Sequence, residues 1–327
     1  MAPCSCRSDQ GCHDWPEPAG GQSSVATKRR AFASADSSHW TTPAARKARI
    51  MGVWHRIGEP GFWADIKENA MSEEQLVEYR VDGAVATLRM NRPQVLNAFT
   101  PGLRRALIDA FDRAERDPAI KVIVFGSTGR GFSAGADLTE PKSENHSVVD
   151  ELLQGYRPLL EKIARSPLPV IGVAPGVAAG VGAALLMNCD LVMMADEARI
   201  YMAFSHIGLV PDGGATWLLY QHLGYQRAFQ LIVEGGSLSA EQCLQIGIAN
   251  KVLPVTELDA AAASWAAELA QRSALANAEA KKLLRAAANN RFAETVEQEA
   301  IAQQLCMDSE ESKTAIAAFK EKAAKKK

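Results

Sequence analysis

Cysteine is scarce and scattered: six residues in 327, at no spacing that reads as a disulfide framework, which points to a reducing cytoplasm. Net charge is nearly absent. The 36 Lys and Arg against 38 Asp and Glu leave −2 at neutral pH, so nothing suggests nucleic acid or a membrane surface as a partner. Long apolar runs are missing as well. Val170–Ala184 carries Pro175 and several glycines, and no run reaches the roughly 20 residues of a membrane span. Gly180-Val181-Gly182 does not complete the G-x-G-x-x-G dinucleotide fingerprint, which argues against a flavin- or NAD-dependent dehydrogenase.

What is present divides unevenly. Residues 1–70 hold four of the six Trp, three of the six His and three of the six Cys in a Ser/Pro/Gly/Ala-rich background without hydrophobic period. Such a segment is expected to remain a disordered extension, because it buries too little apolar surface to offset chain entropy. Cys4, Cys6 and Cys12 lack a second cluster of zinc-site spacing. KRRAFASADSS (Lys28–Ser38) has transit-peptide character, but Asp9, Asp14, Glu17 and Asp36 argue against that role. Lys67–Glu68 can be encoded AAGGAG, like a bacterial ribosome-binding site. Met71 is therefore expected to be the natural start, with residues 1–70 as translated upstream sequence.

From Val77 the pattern is regular. Val81–Met90 reads as a hairpin around Asp82-Gly83, Leu103–Arg116 as an amphipathic helix, and Val122–Gly126 as a buried strand. Glu151–Arg165 reads as a helix, and Val170–Ala174 and Leu191–Ala195 as strands. Helix alternating with strand predicts α/β architecture with largely parallel pairing. Beyond Gly214 the chain turns helical, with segments at Trp217–Leu223, Arg227–Glu234, Ala240–Ile246 (capping box SAEQ, Ser239–Gln242), Leu258–Arg272, Ala276–Asn289, Phe292–Met307 and Ser309–Lys322.

The chemistry concentrates in Gly172–Thr216. Its glycine loop at Gly176, Gly180 and Gly182 opens into a helix, so backbone can approach a ligand closely and first-turn N–H groups face it. A reaction through an enolate needs such fixed donors where the oxyanion develops. Gly131–Leu138 (GFSAGADL) offers a second backbone of that kind, and a later Gly-rich turn carries one acid, Asp212. Pro-Asp-Gly-Gly is also a good turn sequence in its own right. Asp137 and Asp190 read as supports for their loop and strand, His206 as packed or solvent-facing, and Cys189, Cys243 and Cys306 as core residues.

Five stretches resemble the crotonase superfamily, the enoyl-CoA hydratase/isomerase family. They are NRPQVLNAF (91–99), GRGFSAGADL (129–138), LPVIGVAPGVAAGVGAALLMNCDLVMMA (168–195), FSHIGLVPDGGATWLL (204–219) and SLSAEQCLQIGIANKVLP (237–254), in order across roughly Glu73 to Lys322. The resemblance implies a spiral of ββα turns over 71–265, holding an acyl-CoA pocket, and a helical oligomerisation region over 266–327 that assembles trimers or hexamers. It implies thioester-oxygen donors at the N–H groups of Ala136 and Val181. Coenzyme A contacts are implied around Val95–Leu96 and at the Ala134 carbonyl, with Lys320 as a phosphate contact from a neighbouring subunit of the assembly. No metal and no resident cofactor are implied, the CoA thioester being the substrate.

Family hydratases place two glutamates where this chain has Ala184 and Phe204, and neither side chain can move a proton. Asp212 stands where family members that shift double bonds, and the aryl-CoA dehalogenases, place a working aspartate. The AFS…GLVPDGGATWLL stretch is most similar to the members that isomerise ring-1,2-epoxyphenylacetyl-CoA. The resemblance thus implies an isomerase, with a specialised hydratase or a non-catalytic acyl-CoA-binding protein as alternatives. Apolar walls such as Phe204 are expected to raise the Asp212 pKa.

Overall fold

The computed structural model describes residues 76–141 and 147–324. The expected extension at 1–70, its three cysteines and Met71 lie outside the described residues.

Strands β1 (Val77–Asp82) and β2 (Val85–Met90) form the antiparallel hairpin, with Gly83 at φ +54° supplying the turn. β2 pairs in parallel with β3 (Val122–Ser127), β3 with β4 (Val170–Ala174), β4 with β6 (Leu191–Ala195) and β6 with β9 (Lys251–Leu253), giving the order β1-β2-β3-β4-β6-β9. β3 and β4 are buried along their whole length, as expected of parallel strands covered on both faces. A smaller sheet joins β5 (Ala178–Ala179), β7 (Arg199–Tyr201) and β8 (Ser237–Ser239). The chain therefore passes from large sheet to small sheet to helix and returns. β4 runs into β5 and helix α3 (Val181–Met187), and β6 into β7 and helix α4 (Ala215–Val233). An isolated bridge from Ser133 to Ala178 adds the loop after β3 to the same layer. This is the ββα spiral.

Helix α1 (Pro101–Arg116) starts on Thr100, whose hydroxyl accepts from Leu103 N, and buries Leu103, Leu107 and Phe111 under the sheet. Phe111, Phe125 and Phe132 form an edge-to-face chain with centroids 5.7 and 5.5 Å apart. The helix expected at Glu151–Arg165 is only partly α. A π turn spans Glu151–Tyr156 and α2 covers Arg157–Arg165. Pro158 has no N–H to return to the Gln154 carbonyl, so the ordinary ladder cannot close there. The wider turn leaves Tyr156 buried, 2% exposed. The two helices expected after Gly214 are halves of α4, separated by Gly224 at φ 70°, ψ 175°. The capping box is formed before α5 (Ala240–Gln245), between Ser239 and Gln242.

Helix α6 (Val255–Ala270) packs across β2, β3, β4 and β6 and buries Leu258, Ala262, Ala266 and Ala270. The boundary expected between 265 and 266 thus falls inside a core helix, and the helical region beyond the core begins with α7 (Ala274–Ala287). Asp190 holds α7 in place. Its carboxylate accepts from Val170 N at 2.9 Å and pairs with Lys281 at 2.7 Å and Arg285 at 3.1 Å. Helices α8 (Phe292–Asp308) and α9 (Glu310–Ala324) follow. Leu284, Phe292, Ile301 and Phe319 on α7–α9 are 72–85% exposed.

Candidate active site

The loop after β2 is held in an unfavourable backbone by one buried amide. Leu96 and Asn97 both have left-handed φ, 51° and 54°, which costs about 1–2 kcal/mol per residue without glycine. Asn97 is fully buried; its Oδ1 accepts from Arg92 N at 2.8 Å and its Nδ2 donates to Thr128 O and Gly131 O. Ala134 N donates to Leu96 O at 2.8 Å, and Ser133 Oγ to Asn97 O at 2.8 Å. The fold thereby brings together Val95, Leu96 and Ala134, the positions expected to meet coenzyme A.

Ala136 bridges Phe99 in parallel: Phe99 N donates to Gly135 O and Asp137 N to Phe99 O. That pattern turns the Ala136 N–H away from Phe99, and it has no acceptor among the described residues. Gly135, at φ +95°, lies so close to the next loop that a Cβ there would come 3.0 Å from Ala179 O. Gly180 caps α3 at φ +54°, leaving Val181 N as the first helical N–H, also without an acceptor. The two unoccupied donors thus sit on abutting loops. Asp137 supports its own loop, accepting from Arg92 Nη1 at 3.0 Å and Thr139 N at 3.1 Å.

The Asp212 turn rests on α3. A Cβ on Gly213 would come 2.9 Å from Ala184 Cβ and 3.0 Å from Val181 Cγ2. Asp212 Oδ1 is buried with no hydrogen-bond partner. Burial, and then the negative charge of Glu151, push its carboxyl up to about 6, against a small opposing effect of its own backbone N–H. Ala184 is fully buried and Phe204 is 7% exposed, with Cζ 3.7 Å from a Cβ placed on Gly180. Hydrocarbon therefore occupies both positions, Ala184 packed against the Asp212 turn and Phe204 against the Gly180 turn.

Sequence reading missed three residues here. Arg104, on the buried face of α1, pairs with Glu151 at 3.0 Å and lies 4.2 Å above the Tyr156 ring. Its guanidinium lies over that ring, and the hydroxyl has no partner within hydrogen-bonding distance and angle. Burial pushes the phenol up to about 12; Arg104 opposes this, while Glu151 and Asp212 add to it. The available signals were an arginine in phase with Leu107 and Phe111, and a tyrosine in phase with Leu152 and Leu159. A cavity of about 320 Å³ is lined by Leu152, Leu153, Tyr156, Arg157 and Leu160 from the helical turns and by Gly213 and Gly214 from the Asp212 turn.

Other expected residues lie elsewhere. Lys320 is exposed on α9, and no contact joins it to Leu96 or Ala134. His206 faces solvent. Burial drives the Cys189 thiol far up and the Cys243 thiol up to about 12, as suits inert core residues. No described helix is long and apolar enough to cross a membrane.

Comparison with known proteins agrees with this architecture. The family model for enoyl-CoA hydratase/isomerase matches residues 80–326. The chain is 34% identical over 243 residues to 1,2-epoxyphenylacetyl-CoA isomerase of Escherichia coli K12, covering 73% of this chain and 93% of that protein. It is 31% identical over 202 residues to 2,3-dehydroadipyl-CoA hydratase of the same strain, covering 62% and 78%. The crystal structure of an enoyl-CoA hydratase from Polaromonas sp. JS666 superposes with a TM-score of 0.72 at 30% identity, covering 75% of this chain and 97% of that one. The spiral and its abutting glycine loops define a crotonase-type α/β protein. The chain belongs to the enoyl-CoA hydratase/isomerase family.

Proposed function

We propose that the chain is an acyl-CoA isomerase in which Asp212 moves a proton through a thioester enolate. The observation that carries this reading is the buried, unpartnered Asp212 oxygen on a turn packed against Ala184 and Val181. Ionised Asp212 removes a proton α or γ to the thioester, and the electron pair passes to the thioester oxygen. The N–H groups of Ala136 and Val181 hold that oxygen as negative charge develops. Protonated Asp212 then returns the proton at another carbon, leaving mass unchanged. A carboxyl near 6 suits both halves of the cycle, being ionised at neutral pH yet a competent acid.

Val95, Leu96 and Ala134 take the coenzyme A, with Lys320 reaching a phosphate from a neighbouring subunit. The exposed apolar side chains of α7–α9 support a homotrimer or hexamer. A cytoplasmic enzyme fits the scattered thiols. A relative that isomerises 1,2-epoxyphenylacetyl-CoA makes an aryl epoxide a substrate to try beside plain enoyl-CoA. Hydration needs a second acid/base group, which Ala184 and Phe204 do not supply.

The test incubates the full chain with 2-enoyl-CoA, 3-enoyl-CoA and the phenylacetyl epoxide thioester, with products separated and weighed. Interconversion at unchanged mass is expected, and Asp212→Asn should lose turnover while keeping acyl-CoA affinity. Gain of one water would favour hydration. An Asn variant as active as the parent would overturn the mechanism.

A further inference from the structure

Two oxygens beside the cavity lack partners, and only one of them is used by proton transfer. Tyr156 is 2% exposed and lines the cavity, yet its hydroxyl bonds nothing. A buried hydroxyl left unmade costs about 1–3 kcal/mol, so a retained one asks for a ligand atom. Its surroundings prevent an internal solution. Arg104 covers one ring face at 4.2 Å and offers only donors, so the phenol proton finds no acceptor there. Phe99 meets the ring in an edge-to-face contact at 6.1 Å and contributes no acceptor. Asp212 is near enough for its charge to oppose ionisation of the phenol. Oδ1 and the hydroxyl are nonetheless farther apart than a hydrogen bond, since both remain unpartnered. The phenol stays protonated at any working pH, because burial pushes it up to about 12, and so it is a standing donor.

We infer that the Tyr156 hydroxyl donates a hydrogen bond to an oxygen carried by the acyl group, so that the pocket selects oxygenated acyl-CoA thioesters over plain hydrocarbon ones. This rests on the acyl-CoA reading above and narrows its substrate class. Arg157 also lines the cavity and pairs with Glu161 at 2.8 Å; the lining at Leu152, Leu153 and Leu160 is hydrocarbon and suits a ring or short chain. One polar contact on an apolar wall fixes which way round such a ring lies, and thereby which carbon faces Asp212. The acceptor is uncharged, an ether, epoxide or carbonyl oxygen, because a second anion beside Asp212 and Glu151 would be repelled.

The experiment compares cyclohexylacetyl-CoA with the 2-, 3- and 4-tetrahydropyranylacetyl-CoA isomers, in which one ring methylene is replaced by an acceptor-only oxygen. Binding to the full chain and to Tyr156→Phe is measured by titration calorimetry. In the parent, one ether isomer should bind at least as tightly as the carbocycle. In Tyr156→Phe its preference over the carbocycle should fall about three- to tenfold, with carbocycle affinity unchanged. The thermal midpoint of the variant should not drop, because the deleted hydroxyl has no partner within the fold. An ether preference that is the same in both proteins overturns the inference and leaves the Asp212 mechanism standing. A lowered midpoint does likewise, by making the hydroxyl structural. If none of the four ring thioesters binds the parent, the acyl-CoA reading itself falls, and this inference with it.

Discussion

Replacing Asp212 by Asn removes a charge that the native state holds at a cost, and that cost depends on pH. Burial and the neighbouring Glu151 lift the carboxyl from 3.8 to about 6. The folded chain therefore holds the proton more tightly than the unfolded chain. Stability from this group is fully present below the unfolded value and is lost as pH rises through about 6. At about 1.4 kcal/mol per unit, the penalty grows from about 0.5 kcal/mol at pH 4 to about 3 kcal/mol at pH 8. Asn carries no charge at either pH. The variant should nearly match the parent at pH 4 and exceed it by about 2–3 kcal/mol at pH 8, several degrees in thermal midpoint. Urea unfolding followed by circular dichroism at pH 4, 6 and 8 measures the gap. A gap independent of pH, or a variant less stable than the parent at pH 8, would refute the reasoning. The same change should abolish turnover, so that stability and activity move in opposite directions.

Glu151→Gln should lower the Asp212 pKa, because one of its causes is the Glu151 charge. The acidic limb of the pH–rate profile then moves to lower pH, and an unmoved limb would count against the proximity. Gly135→Ala forces a side chain onto φ +95° with Cβ 3.0 Å from Ala179 O. Steady-state kinetics should show turnover falling about 10²-fold or more as the Ala136 N–H shifts, at a stability cost of about 1–3 kcal/mol. Asp190→Ala leaves Lys281, a largely buried cation, without its 2.7 Å partner and strips Val170 N of its acceptor. Denaturant unfolding should show a loss of about 3–5 kcal/mol.

Local chemistry was legible in the sequence; convergence across distance was not. The hairpin at Asp82-Gly83 and the capping box at Ser239 rest on neighbours within a few residues, and each was readable from them; Asp212 stood out through the family resemblance, its own neighbours reading equally well as a plain turn. An apolar setting was expected to raise the Asp212 pKa and burial does raise it, but the second cause was hidden. Glu151 is paired with Arg104, 47 residues earlier, a link that no local pattern shows. The π turn that leaves Tyr156 buried depends on a proline whose missing N–H a helical period ignores. Asp190 was readable as a support for its strand. Its hold on Lys281 and Arg285, some 90 residues downstream, was not.

The two donors proposed for the thioester oxygen are main-chain atoms, and this makes the site resistant to genetic drift in an uneven way. A codon change cannot delete the N–H of Ala136 or Val181 unless it introduces proline. Side chains around them, at Ala184, Phe204, Asp212 and Tyr156, can be exchanged one at a time while oxyanion stabilisation persists. A lineage built on such a scaffold can abandon one proton-transfer chemistry and acquire another without passing through an ancestor unable to polarise a thioester.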